Sequence, residues 1–373
     1  MKHDVLFLTL RVFSETGGIE KVCRIAGKAL YEIGLQSGYG IKIFSMHGYP
    51  NSANDNIYFP PDIFTGFSGN KIKNVVRSIG AGRKSGTVIL SHINLLLVGY
   101  LIKKINPSVK LIMLAHGIEV WQSLPAWKKR MLNKCDMILP VSNFTKQRMI
   151  ELHKLPPEKF TVLNNCLDPF LQKTNSTEKN AGLMKRYGLS ATDKVLLTVA
   201  RVAATEQYKG YDKILHCLPA LLPTYPSLKY LIVGKYDEKE KQRLTEIINT
   251  HNLHNHVVIT GFVKNEELQA HYNLADVFVM PSEKEGFGIV FIEAMFYGKP
   301  VIAGNKDGST DALADGKLGV LVNPESENEI TAALLQILAN TAAYLPNEEL
   351  LKEKFSYTAY KEKLKSIIES NKN

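Results

Sequence analysis

No two of the four cysteines form a CxxC pair: they stand at 23, 135, 166 and 217, and none sits with histidine at metal-ligand spacing. That excludes a zinc-ribbon or dithiol redox reading and predicts reduced, partly buried thiols in a cytoplasmic protein. No apolar run approaches the roughly 20 residues that a membrane span needs. The opening MKHDVLFLTLRVF holds too short an apolar run for a signal peptide, and Arg11 interrupts it. A GxGxxG fingerprint is missing, so a dinucleotide-dependent dehydrogenase is not expected. No nucleic-acid-binding module is recognisable, and aromatics are little interleaved with the charge, so nucleic acid is not an expected partner.

What the sequence has is a net charge of +10, unevenly placed. Residues 1–170 carry 22 Lys and Arg against 11 Asp and Glu, whereas residues 171–373 carry 24 against 25. Two basic stretches stand out in the first half, NKIKNVVRSIGAGRK (70–84) and WQSLPAWKKRMLNK (121–134). The second mixes two Trp with Lys128, Lys129 and Arg130, a makeup suited to an anionic lipid surface. A solvated helix face is the alternative.

The chain of 373 residues is long for one core and suggests two domains. Short apolar runs alternate with helical patterns throughout. Strands are expected at 5–10, 41–45, 88–91, 110–115 and 137–141, then at 195–200, 230–234, 257–261, 277–281, 300–304 and 319–322. Runs without in–out alternation, each followed by a helix, mark parallel sheets covered on both faces. The expected fold class is therefore α/β, with two Rossmann-like, doubly wound parallel-sheet domains at 1–171 and 185–355. The polar stretch QKTNSTEKNAG (172–182) lies between them as an expected linker.

Open α/β sheets bind ligands at the carboxyl ends of their strands, so the turns there hold the candidate site. In RVFSETGGIEKV (11–22), Gly17 and Gly18 permit close backbone approach and open a helix whose free N–H groups favour anions. His116 ends the strand at 110–115 and is followed by Gly; it either meets a ligand hydroxyl or bonds a loop carbonyl. Arg201 and Lys209 follow the strand at 195–200 and could neutralise a diphosphate. In SEKEGFGIVFIEAMFYGKPVIAG (282–304), Glu285 precedes a glycine-flanked helix start, and Glu293 lies inside an otherwise apolar helix. A buried unpaired carboxylate costs several kcal/mol, roughly. Its helical neighbours Ile289, Val290, Phe296 and Tyr297 are not basic, so its partner must come from elsewhere in the chain or from a ligand.

These motifs, in this order, resemble a GT-B glycosyltransferase of retaining family 4, the "glycosyl transferases group 1" type. The likeness spans nearly the whole chain; its most specific part is Glu285, seven residues, then Glu293 within EGFGIVFIEAMFYGKPVIA, with GFVKNEELQAHYNLADVFVMPS leading in and TGGIEK and HGIEVW in the expected N-terminal places. The resemblance implies two domains facing a central cleft, with the last helix (356–373) crossing back onto the first. It implies that Glu285 holds donor-sugar hydroxyls, Glu293 the ribose, and Arg201 and Lys209 the diphosphate. Backbone at Phe287, Gly288, Ile289 and Val290 would bind phosphate or sugar, His116 would contact the sugar near the reacting carbon, and Gly17 and Gly18 would line the diphosphate or acceptor side. The family spaces the Arg and Lys four residues apart; here seven residues separate them, and the extra AATEQY is expected to loop out. Asp311 stands where the family has an acidic residue.

The implied reaction moves a hexose from a nucleoside-diphosphate sugar to a glycan or lipid-linked acceptor in surface polysaccharide synthesis, with UDP-hexose ahead of GDP-mannose. In the family the departing phosphate itself deprotonates the acceptor. No Asp-x-Asp motif is present, and no metal cofactor is expected. A protein at the inner membrane face, peripherally bound through its basic domain, would suit a lipid-linked acceptor. Two other readings stay open: a non-catalytic polysaccharide- or lipid-surface binder on the same fold, and a nucleotide-sugar epimerase.

Overall fold

A computed structural model describes residues 4–13, 17–54, 56–173 and 179–370. The chain divides into two compact units: Met1–Pro169 with Phe355–Asn373, and Phe170–Lys354.

The first unit is built on a six-stranded sheet of β1 (Val5–Thr9), β2 (Ile41–Ser45), β3 (Phe64–Gly66), β4 (Thr87–Leu90), β5 (Lys110–Ala115) and β6 (Met137–Pro140). Every pairing is parallel, in the spatial order β3-β2-β1-β4-β5-β6. β1, β4 and β5 are buried along their whole length, which is why they read as unbroken apolar runs. β3 is the strand that the sequence pattern does not announce: three residues, Phe-Thr-Gly, paired on one side only.

Helices cover both faces. Gly18–Ser37 and Tyr357–Glu369 pack together on one, where Ala26, Leu30 and Ile33 share a core with Tyr360, Leu364 and Ile367. Lys71–Gly82, Leu96–Ile105 and Ala126–Leu132 lie side by side over a second core that includes Leu90, Ile102 and Leu132. The C-terminal helix is held by more than apolar packing. The buried Lys110 ammonium donates to the Ile367 carbonyl at 2.6 Å, the Ser370 carbonyl at 2.7 Å and Ser370 Oγ at 2.9 Å. A cation at a helix carboxyl end satisfies carbonyls that have no intrahelical partner.

The second unit repeats the plan with β7 (Val195–Val199), β8 (Lys229–Val233), β9 (Val257–Gly261), β10 (Val277–Met280), β11 (Val301–Gly304) and β12 (Val320–Val322), ordered β12-β11-β10-β7-β8-β9 and again parallel. Of the stretch 172–182, residues 174–178 lie outside the described residues. Its last two positions already belong to helix Ala181–Tyr187, which Asn180 caps through its side chain. Among the described residues, no helix is long and apolar enough to cross a membrane.

Candidate functional site

In the second unit the chain runs β7, β8, β9 in one direction and returns with β10 on the other side of β7. The reversal leaves a crevice beyond the carboxyl ends of β7 and β10, the place where such sheets take ligands. Arg201 and the turn Gln207–Lys209 follow β7; Glu285 and helix Ile289–Phe296 follow β10.

The two loops are stitched together. Glu283 N–H donates to the Tyr208 carbonyl at 2.9 Å. The Lys209 ammonium forms a salt bridge with the Glu285 carboxylate, with both side chains largely buried. Burial, the largest influence, would push the Lys209 amine down; the facing Glu285 carboxylate, Tyr208 and Glu206 together hold the amine above its ordinary value. The sequence assigns these residues to different parts of a ligand, yet in the structure they hold each other. Arg201 stands apart: its guanidinium pairs with Glu206, and its side chain is 69% exposed.

The AATEQY segment (203–208) does not loop out, contrary to expectation. Val202 bridges to Tyr236, Ala204 N–H donates to Asp237 Oδ2 at 2.9 Å, and Gln207 Nε2 donates to Glu240 Oε2 at 2.8 Å. Glu240 is fully buried and also accepts from Tyr211 and Arg243, which keeps its carboxyl below the ordinary range despite burial, the largest opposing influence. The extra residues thus form the scaffold that delivers Lys209.

Glu293 is buried, 3% exposed, and accepts a hydrogen bond from the Tyr272 hydroxyl at 3.1 Å. One partner from elsewhere in the chain is therefore a neutral phenol. Burial first, and the carboxylate next, push the Tyr272 hydroxyl well up, so it stays a donor. Gly288 precedes the helix with φ +82°, a left-handed conformation that glycine tolerates, and no described side chain caps the helix start. Phe287 is buried, which leaves backbone rather than its ring as the group available there. Ile289 is buried too, and Val290 is half-buried.

Asp307 is the residue that sequence reasoning missed. It is fully buried, and Oδ2 accepts from Glu285 N–H at 2.7 Å and from Ser282 Oγ at 2.8 Å. Its Oδ1 accepts from Ser309 N–H at 2.9 Å, and Gly308 N–H donates to the Glu285 carbonyl at 2.8 Å. A Cβ at Gly308 would stand 2.0 Å from the Gly286 carbonyl oxygen, so only glycine allows this approach. Burial raises the Asp307 carboxyl to about 6, against the pull of its hydrogen bonds. Asp311, the acidic residue noted from the sequence, is in the short helix Ser309–Ala312.

In the first unit the strand order reverses between β1 and β4. Gly17 precedes helix Gly18–Ser37, which begins without a described side-chain cap; residues 14–16 of that turn lie outside the described residues. His116, at the end of β5, joins the end of β4: its Nε2 stands 2.7 Å from the Ser91 carbonyl, and its backbone N–H donates to Glu119 Oε1 at 2.6 Å. A nitrogen facing a carbonyl must carry the proton, so in the neutral ring Nδ1 is the acceptor. Nδ1 is buried and has no hydrogen-bond partner among the described residues. The ring thus bonds a loop carbonyl, one of the two uses weighed for it. His92, unremarked in the sequence, lies next along β4, and burial lowers its imidazole.

Among the described residues no group of three or more His, Cys, Asp or Glu is placed to hold a metal ion.

The family described as "Glycosyl transferases group 1" matches residues 182–371, and "Glycosyltransferase Family 4" matches residues 16–169. A GDP-mannose-dependent alpha-(1-6)-phosphatidylinositol monomannoside mannosyltransferase of Mycolicibacterium smegmatis is 32% identical over 245 residues, 60% of each chain. An alpha-monoglucosyldiacylglycerol synthase of Acholeplasma laidlawii is 26% identical over 195 residues, covering 52% of this chain and 47% of that one. The chain thus spans about 60% or less of the length of these curated relatives. Among solved structures, Anabaena HepE in complex with UDP superposes with a TM-score of 0.77 at 18% identity, covering 100% of both chains. Sucrose-phosphate synthase of Thermosynechococcus elongatus gives 0.75 at 19% identity over 98% of each chain. At such identities the likeness is one of fold.

Proposed function

This chain belongs to the glycosyl transferases group 1 family and has the GT-B fold, and on that premise we propose that it transfers a hexose from a nucleoside-diphosphate sugar to an acceptor, with retention at the anomeric carbon. The observation that carries the reading is the pairing of Lys209 with Glu285 beside an uncapped helix start, one and a half turns before the buried Glu293. Each part suits one part of the donor. Glu293 takes ribose hydroxyls, which supply hydrogen-bond donors to its carboxylate. Glu285 takes sugar hydroxyls. The diphosphate lies on the backbone around Phe287, Gly288, Ile289 and Val290, where the helix dipole favours an anion by about 0.3 to 2 kcal/mol.

The barrier is dominated by charge building on the departing diphosphate. Lys209 has three donors, so it can keep Glu285 and still meet a phosphate oxygen; the exposed Arg201 needs only to leave Glu206 to add a second cation. One such pre-placed donor is typically worth about 3 kcal/mol in the transition state. No step then requires a divalent metal. In the first unit, His116 receives a hydroxyl at Nδ1, and Gly17 and Gly18 line the diphosphate or acceptor side.

The donor is a nucleoside-diphosphate hexose; the mannosyltransferase relative supports GDP-mannose as strongly as the first expectation of a UDP-hexose. The glycolipid-making relatives support a lipid-linked acceptor, met at the inner membrane face, in surface polysaccharide synthesis. The test is a thermal-shift panel of UDP, GDP, ADP and dTDP, followed by acceptor-free turnover of the matching sugar nucleotide. One diphosphate should stabilise the protein by mass action, and its sugar donor should be slowly hydrolysed. Binding without hydrolysis or transfer would favour a non-catalytic surface binder. Interconversion of the free sugar nucleotide would favour an epimerase.

A further inference from the structure

Three helices of the first unit, Lys71–Gly82, Leu96–Ile105 and Ala126–Leu132, form one layer whose inner side packs on the core below the sheet. Their outer side is unusual in two ways. It shows large apolar side chains to solvent: Ile72 is 79% exposed, Val76 64% and Trp127 55%, with Leu97 and Ile105 also exposed. A single exposed apolar residue is ordinary; five on adjoining helices are a patch that needs an occupant.

The second feature is charge. Between Asp62 and Glu119 the sequence has no acidic residue, and from 63 to 135 it has 12 Lys and Arg against Glu119 alone. Lys73, Arg77, Arg83, Lys104 and Arg130 are exposed on the same layer, and none forms an ion pair with a described acidic side chain. A solvated helix face interleaves both signs; this one does not. On helix Lys71–Gly82 the two features coincide: Ile72 and Val76 stand four residues apart, and Lys73 and Arg77 stand beside them at the same spacing.

We propose that the outer side of this three-helix layer is the surface on which the chain lies against an anionic bilayer, with Ile72, Val76 and Trp127 entering the headgroup boundary and the cations facing lipid phosphates. The inference deepens the membrane part of the proposed function and rests on it for its purpose. Charge complementarity selects an anionic partner, and the apolar side chains select lipid over nucleic acid, because a phosphate backbone leaves Ile72 and Val76 without a use.

The test is flotation of the full chain with vesicles of phosphatidylcholine containing 30% phosphatidylglycerol, against phosphatidylcholine alone, at about 50 mM salt. The wild type should float with the anionic vesicles only. Lys73→Glu with Arg77→Glu should lower binding on the order of tenfold or more, whereas Lys352→Glu with Lys354→Glu, an equal charge change on the second unit, should leave it nearly unchanged. Ile72→Ser with Val76→Ser should also weaken it, and Trp emission should shift to the blue on binding except in Trp127→Phe. Each variant's melting temperature confirms its fold. The proposal is overturned if the wild type ignores anionic vesicles, if it binds a DNA or RNA duplex in preference to them, or if the second-unit variant loses binding and the helix variant does not. Absence of a nucleoside-diphosphate thermal shift, with flotation as expected, would sink the transferase reading and leave this surface standing.

Discussion

Lys209 and Glu285 lie 76 residues apart in the chain, yet they form a salt bridge across the ends of neighbouring strands. The pair joins the loops that follow β7 and β10, and each member is also a donor-binding group in the proposed function. Lys209→Ala and Glu285→Gln should each lower kcat on the order of 10²- to 10³-fold. The double variant should lose far less than the product of the two, because the groups act as a unit. Steady-state rates of the two single variants and the double variant give the coupling; strictly multiplicative losses would show that the pair is incidental to turnover.

Asp307 yields a pH prediction with two opposite signs. Its carboxylate accepts from Glu285 N–H and Ser282 Oγ, so protonation through about pH 6 should loosen Glu285 and lower kcat. For stability the sign reverses. The folded-state value is raised above the ordinary 3.8, so the folded protein binds a proton that the unfolded chain does not between roughly pH 4 and 6. The Asp307 contribution to stability is therefore full below about 4 and is lost as pH rises through about 6. Asp307→Asn should remove both trends and lower kcat on the order of 10²-fold, because an amide accepts at its single oxygen and its NH2 only donates. Parallel pH profiles of rate and melting temperature check it; a wild-type profile shared by the variant would contradict the assignment.

Lys110 makes a structural prediction. Lys110→Met removes the cation that holds the Ile367 and Ser370 carbonyls and keeps most of the packing. Hydrogen bonds to a charged group are worth about 1.5 to 3 kcal/mol, so the melting temperature should fall by about 4 to 8 °C. Hydrogen exchange should quicken in helix Tyr357–Glu369 first, while helices of the second unit keep their protection. Equal loss of protection in both units would show that Lys110 is not a local latch.

Much of this architecture is legible in the sequence because buried parallel strands are written as unbroken apolar runs. Eleven of the twelve strands fall within a residue or so of such a run; β3 escapes because a three-residue edge strand buries too little to leave a pattern. The proposed donor-binding residues were findable, since Glu285 and Glu293 break an apolar pattern where a strand meets a helix. The residues that hold them were not. Asp307, between Lys306 and Gly308, has the look of a surface turn, and its burial follows from the adjacency of β10 and β11 rather than from its neighbours in the chain. Its one local signal is position, three residues past the end of β11, the strand beside β10. Tyr272, the partner of Glu293, is 21 residues away on another helix, and nothing local marks it. The segment 203–208 was misread as a loop because its partners, Tyr236, Asp237 and Glu240, follow a different strand.

The ribose contact of Glu293 is the point at which the account is most directly exposed. Titration calorimetry of UDP and GDP should find one nucleotide that binds the wild type, with Glu293→Ala weakening it by about 10- to 100-fold, the scale of lost hydrogen bonds to a charge. Tyr272→Phe, which removes one internal hydrogen bond to Glu293, should leave that affinity within a few-fold of the wild type. An unchanged affinity in Glu293→Ala, or a loss in Tyr272→Phe as large as that in Glu293→Ala, would mean that the buried carboxylate serves the fold and not the nucleotide.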